Sequence, residues 1–383
     1  MTTYPAPMPS SDSGAVFKLL SLFLGLVVVI MGSFGLWLAL SAQHASDDAH
    51  RAADKAGTVP ASTESMPGMS MPVAAGRATP SFANAAPANA DALAMEHTAF
   101  PAVLPPAPAG AVANVNIGIS HDTLSIAPGI KYDAWTFNGS VPGPVVHVRQ
   151  GQMVHVTLHN TSPMPHSIDF HAARVAPNLA FSDILPGQTK TFSFPANDPG
   201  VYMVHCGTAP AFVHIANGMY FAIIVEPANM PPADVNYVLV ASEFYLNKPG
   251  LNAPASLDLT KAQNMTPDWV TWNGYAGQYK THPLTAQPGQ TVRFWVVDAG
   301  PSLNTEFHVV GTVLDRAWLN ADLIDAPQHG IQTAVVPAGG GGVFDVKIDK
   351  PGIYPFVSHS FASVSLGEVG LLKVGNVAGT MSH

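Results

Sequence analysis

The chain has 383 residues, of which 47% are hydrophobic and only 11% charged, with a formal net charge of -9. That length exceeds one ordinary domain and the apolar content is ample for buried cores, so two domains plus appendages is the starting expectation. No basic run occurs, so the electrostatic footprint of a nucleic-acid binder is missing and nucleic acid is excluded as a partner.

Residues 1–42 read as a membrane anchor or signal segment. Between Leu19 and Leu40 the run LLSLFLGLVVVIMGSFGLWLAL carries no charge for 22 residues, enough at helical rise to cross the hydrocarbon layer. A cleavable signal peptide is the alternative, with Ala39 and Ser41 as small residues before a cut, although such apolar cores are usually shorter. Lys18 on one side faces Arg51 and Lys55 on the other, so flanking charge does not fix the orientation.

Residues 43–110 are rich in Ala, Pro, Ser and Met, show neither the helical nor the strand period, and are expected to be a disordered linker. Within them MPGMSM and MEHTAF offer thioethers and an imidazole, either as copper ligands or as scattered linker residues. Beyond Ala111 the texture changes to short β-branched and aromatic runs punctuated by Pro-Gly, Asn-Gly and Gly-Gln, the signature of β-sandwiches. The pattern occurs twice. WTFNGSVPG at Trp135 returns as VTWNGYAG at Val270, RQGQMVHVTL at Arg149 as QPGQTVRFWV at Gln287, and DPGVYMVH as KPGIYPFVSH. Two sandwiches of one type are predicted over 111–228 and 229–378, joined near Glu226 to Pro232.

Chemistry-bearing residues concentrate in PHSIDFH, with His166, Asp169 and His171, and in VHCGTAPAFVHIANGM, with His205, Cys206, His214 and Met219. Cys206 is the only cysteine, against 16 histidines and 14 methionines, so an internal disulfide is excluded. Two imidazoles, one thiolate and a weak axial thioether make the soft trigonal environment of an electron-transfer copper, and His166, Cys206, His214 and Met219 satisfy it. Successive strand residues face opposite sides, so His205 and Cys206 can serve two metals while covalently adjacent. By the same alternation Asp169 and His171 share one face and His166 takes the other. The second copy has VSHS where the first has VHCG, so it cannot build a thiolate site of its own.

These motifs resemble a cupredoxin, and the doubled arrangement resembles the copper-containing nitrite reductases over nearly all of residues 111–375. The resemblance implies an all-β chain of two tandem Greek-key cupredoxin sandwiches and two copper ions per subunit. A type 1 copper would be held by His166, Cys206, His214 and Met219. A type 2 copper would be held by His171 and His205 of one subunit and His359 of a neighbour. It further implies an acid-base pair of Asp169 and His308, an apolar wall at Val310, and a homotrimer. Electrons would come from a small cupredoxin or a c-type cytochrome, in a periplasmic or extracytoplasmic location with the N-terminal helix in the cytoplasmic membrane. The implied reaction, nitrite to nitric oxide, consumes one electron and two protons, which suits an open copper position beside two groups able to relay protons.

A laccase would need His-x-His pairs for a trinuclear cluster, and the chain has none. A copper carrier would leave Asp169, His171, His308 and His359 without a task. His147, His155 and His159 lie on or beside one strand and are expected to face solvent. His121, His282 and His329 sit near turn residues and show no partner pattern.

Overall fold

The computed structural model describes residues 80–320 and 322–379. The apolar run at 19–40 and the MPGMSM motif lie outside the described residues, and among those described no helix is long and apolar enough to cross a membrane.

Among the described residues eighteen strands dominate, with only short helices beside them. The first eight are β1 (Val112–Ala127), β2 (Ile130–Phe137), β3 (Val146–Arg149), β4 (Met153–Asn160), β5 (Asp169–Phe170), β6 (Thr189–Pro195), β7 (Gly200–His205) and β8 (Tyr220–Glu226). They form two sheets, ordered β2-β1-β4-β6 and β3-β8-β7-β5. The remaining ten are β9 (Val235–Phe244), β10 (Trp269–Trp272), β11 (Leu284–Ala286), β12 (Thr291–Asp298), β13 (Thr305–Val309), β14 (Arg316–Trp318), β15 (Ala334–Val336), β16 (Gly341–Lys347), β17 (Gly352–Ser358) and β18 (Val369–Val374). Their sheets run β10-β9-β12-β16-β14 and β11-β18-β17-β13-β15. The order repeats, with one strand added to an edge of each later sheet, and so do the parallel pairs: β1 with β4 and β3 with β8 recur as β9 with β12 and β11 with β18.

Alternation in the sequence explains which faces are buried. In β4, Val154, Val156 and Leu158 point inward while His155 and His159 are exposed. In β8 both faces are buried: Phe221, Ile223 and Val225 join the core of the first sandwich, and Tyr220, Ala222 and Ile224 a second cluster. That second cluster also receives Val238 and Val240 from β9 and Trp295 and Val297 from β12, so it is a core between the sandwiches. The opposite face of β9, with Tyr237, Leu239 and Ala241, fills the core of the second sandwich. Continuous apolar runs such as YFAIIV and VLVA mark these doubly covered strands. Gly274 shows how closely the two sandwiches approach, because a Cβ there would lie 1.8 Å from the Val141 carbonyl oxygen, at a φ of +79°.

Residues 80–110 depart from the expected disorder. The Phe82 amide donates to Asp268 (2.7 Å) and the Phe100 amide to Gln278 (2.7 Å), while Val238 N–H donates to the Ala102 carbonyl (2.7 Å). Pro108 and Gly110 carbonyls accept from Gln152. His97, from the MEHTAF motif, stacks on Tyr275 at 3.7 Å. This strap carries one short helix, Ala90–Glu96, with no buried residue, and is otherwise held through single backbone groups and scattered apolar side chains such as Phe82, Ala102 and Leu104, so it needs no repeating apolar face and shows no period. The strap also corrects the expectation for His147, which is buried rather than solvent-facing. Its Nδ1–H donates to the Pro105 carbonyl (2.6 Å), and its Nε2 lies 3.2 Å from the Glu226 carboxylate.

Candidate metal centres

The end of β7 carries both halves of the site. His205 is its last residue, half-buried, and pairs in register with Asp169 of β5; Cys206 follows, fully buried in the core of the first sandwich. The helix Ala211–Ala216 then delivers His214 in its last turn, and His166 arrives from the segment before β5. Cys206 Sγ lies 3.3 Å from His214 Nδ1 and 3.9 Å from His166 Nδ1, and the two Nδ1 atoms are 3.0 Å apart. Metal–ligand bonds of about 2.0–2.3 Å in a trigonal arrangement would set such atoms about 3.5–3.8 Å apart, a range that the observed 3.0–3.9 Å brackets. Met219 is buried, and its backbone donates to the His214 carbonyl and accepts from Cys206 N–H. Burial pushes the Cys206 thiol up, only partly opposed by the Ser167 amide that donates to its sulfur (3.3 Å), so a thiolate there calls for a bound cation. Burial and the neighbouring imidazoles of His214 and His121 push His166 down to about 3, which keeps its ring neutral and fit to bind a metal.

On the other side of β7, His205 Nε2 faces His171 Nε2 at 3.0 Å. Each ring's Nδ1 lies beside a backbone carbonyl, Gly339 for His171 (3.1 Å) and Cys206 for His205 (2.9 Å). A carbonyl can only accept, so both Nδ1 atoms carry protons and, in neutral rings, both Nε2 atoms present lone pairs to each other. Two lone pairs at that distance fit a shared cation. Burial and the nearby His205 lower the His171 pKa, favouring the neutral form. An Asp169 carboxylate oxygen lies beside the pair, within 4.8 Å of both ring nitrogens. A cleft of about 490 Å³ opens beside it, lined by Asp169, His171, Tyr202, Asn320 and Gly339 among others.

The second sandwich contributes a separate pair. His308 on β13 and His359, just after β17, approach with ring centroids 5.1 Å apart. The Gln332 carbonyl accepts from His308 Nδ1–H, and the His359 amide donates to the Glu306 carbonyl (2.7 Å). Because β7 and β17 hold equivalent places in their sheets, His359 follows its strand as Cys206 does. Val310 ends the same segment, its amide donating to the Pro355 carbonyl (2.8 Å). Within the chain, His359 does not join the group formed by His171 and His205.

Sequence reasoning missed His121. It lies on β1 rather than at a turn, opposite Trp135 of β2, and its Nε2 is 3.1 Å from His166 Nε2.

The multicopper oxidase family model matches residues 119–230. The copper-containing nitrite reductase of Neisseria meningitidis serogroup B is 38% identical over 271 residues, covering 69% of each chain. The chain belongs to the copper-containing nitrite reductases. It is thus an oxidoreductase of that family, and copper is the metal that the family implies for the donor sets described above. Among solved structures, the copper nitrite reductase from Nitrosomonas europaea superposes with a TM-score of 0.64 at 34% identity, covering 70% of this chain and 95% of that one. The copper-containing nitrite reductase from Thermus scotoductus SA-01 gives 0.65 at 25% identity, with coverage of 71% and 64%. These likenesses agree with the all-β, cupredoxin-like sheets.

Proposed function

We propose that this chain reduces nitrite to nitric oxide with two coppers per subunit, and that 111–228 and 229–378 act as its two cupredoxin domains. His166, Cys206, His214 and Met219 would hold the type 1 copper; His171, His205 and His359 of a neighbouring subunit would hold the type 2 copper. The observation that carries this reading is that consecutive residues, His205 and Cys206, belong to two different donor sets. The peptide between them supplies a covalent path for the electron.

The balanced reaction takes nitrite, one electron and two protons to nitric oxide and water. Copper, when bound, supplies the electron and an open coordination position for the anion. Asp169 would give a proton to a nitrite oxygen, a role supported by its pairing in register with His205. The Gln332 carbonyl fixes the Nδ1 proton of His308, which leaves Nε2 as the atom that exchanges the second proton. Val310 would form the apolar wall that keeps the anion close to these groups.

Separation of the His308 and His359 pair from His171 and His205 in one chain supports a site shared between subunits, and the homotrimer is what the family resemblance implies. The uncharged run at 19–40 supports anchoring in the cytoplasmic membrane, while a location outside it rests on the copper reading alone. There a small cupredoxin or c-type cytochrome would be the donor.

The decisive experiment supplies copper-loaded protein with nitrite and an artificial reductant without oxygen. Nitric oxide with two coppers per subunit is expected. A single copper and no nitric oxide would overturn the reading in favour of a carrier.

A further inference from the structure

The contact between His121 and His166 has a definite direction. His166 turns its Nδ1 to Cys206 and His214, at 3.9 and 3.0 Å, so as a ligand it must carry its proton on Nε2. That Nε2 lies 3.1 Å from Nε2 of His121. His166 therefore donates and His121 accepts, with the His121 proton on Nδ1.

Neighbouring strands hold the acceptor in place. His121 and Trp135 are partners across the β1–β2 ladder, and their rings stack at 5.1 Å with planes 9° apart. The Trp135 amide donates to the Asn217 carbonyl (2.9 Å), in the loop that follows His214. Its ring meets His214 edge-on at 4.9 Å and His166 at 5.5 Å. His121 cannot swing away from His166 without unstacking from Trp135.

We propose that His121 is a positioning residue for His166, fixing which nitrogen faces the metal and lowering the reduction potential of the copper bound there. The inference rests on the assignment of His166, Cys206 and His214 as a copper donor set. An acceptor on the distal N–H raises the basicity of a ligating imidazole, which favours the more highly charged copper(II) over copper(I).

Two variants separate this role from packing. His121→Phe keeps a ring on Trp135 and removes the acceptor; His121→Gln returns an acceptor oxygen. In His121→Phe the affinity for copper(II) relative to copper(I) should fall about tenfold, the low end for such outer partners. For a one-electron couple that is a rise in midpoint potential of about 59 mV, and His121→Gln should recover most of it. In metal-free protein, nitrogen-15 NMR should show His166 protonated at Nε2 in the native chain and a mixture of tautomers in His121→Phe. An unchanged potential and an unchanged His166 tautomer in His121→Phe would overturn the proposal. If the native protein formed no thiolate-to-copper absorption, the copper assignment and the tuning would both fall, while the metal-free spectra would still decide whether His121 orients His166.

Discussion

His205 and Cys206 are consecutive, yet His205 Nε2 meets His171 Nε2 at 3.0 Å on one side of β7 while Cys206 Sγ meets His214 Nδ1 at 3.3 Å on the other. Strand alternation alone produces this division, and it lets each donor set be removed without the other.

Cys206→Ala should abolish the intense visible thiolate-to-copper absorption and lower the copper count from two to one per subunit, because His171 and His205 are untouched. Absorption and metal analysis on the same sample check this. A retained visible band would remove Cys206 from the donor set.

His359→Ala should lose the other copper and leave the visible band in place. The His359 imidazole is exposed beside His308 rather than turned to His171, so the loss would come from a site completed by a second subunit. Copper counts together with sedimentation of protein lacking residues 1–42 test it. A monomer holding both coppers would contradict the shared site.

The grouping of His166, Cys206 and His214 was legible in the sequence because Cys206 and His214 fall in one short stretch and the chemistry of a soft trigonal site selects them. The repeat was legible for a similar reason: turn residues and strand texture recur together. His121 was not. A regular hairpin pairing Ala127 with Ile130 would set His121 opposite Thr136, but an irregularity between Ser125 and Ala127 shifts the register and brings Trp135 there instead. The strap over 80–110 was equally silent, since its anchors are single amides received by Asp268 and Gln278, and such capture leaves no periodic trace.

Proton delivery is tested with Asp169→Asn and His308→Ala. The amide keeps the size of the carboxyl but cannot exchange a proton in the working range, and the alanine removes the second exchanging group. Each should keep both coppers and slow turnover by on the order of 10²–10⁴-fold. The double variant should be less than additive if the pair acts through one shared water. Wild-type rates in both fully copper-loaded single variants, with excess reductant at every pH, would end the proton-relay roles.

Glu368 gives a test of the fold that is independent of copper. It is buried with Asp298 and Glu243, and its carboxyl accepts from the Thr305 hydroxyl (2.6 Å). Burial raises its pKa well above the usual 4.5, outweighing that hydrogen bond, and the nearby acids Asp298, Glu243 and Glu306 add to the rise. A folded pKa above the unfolded one means that the folded state holds the proton more tightly. The associated stability is complete below the unfolded pKa near 4.5 and declines as pH climbs towards the folded value. In that window the loss is about 1.4 kcal/mol per pH unit for one such group. Glu368→Gln has nearly the same shape, can still accept from Thr305, and has no proton to lose. Its Tm advantage over the native chain should therefore be smallest near pH 5 and widen towards pH 8, as measured by thermal unfolding across that range. A Tm difference that stayed constant or shrank with rising pH would mean that Glu368 is already ionised in the folded protein.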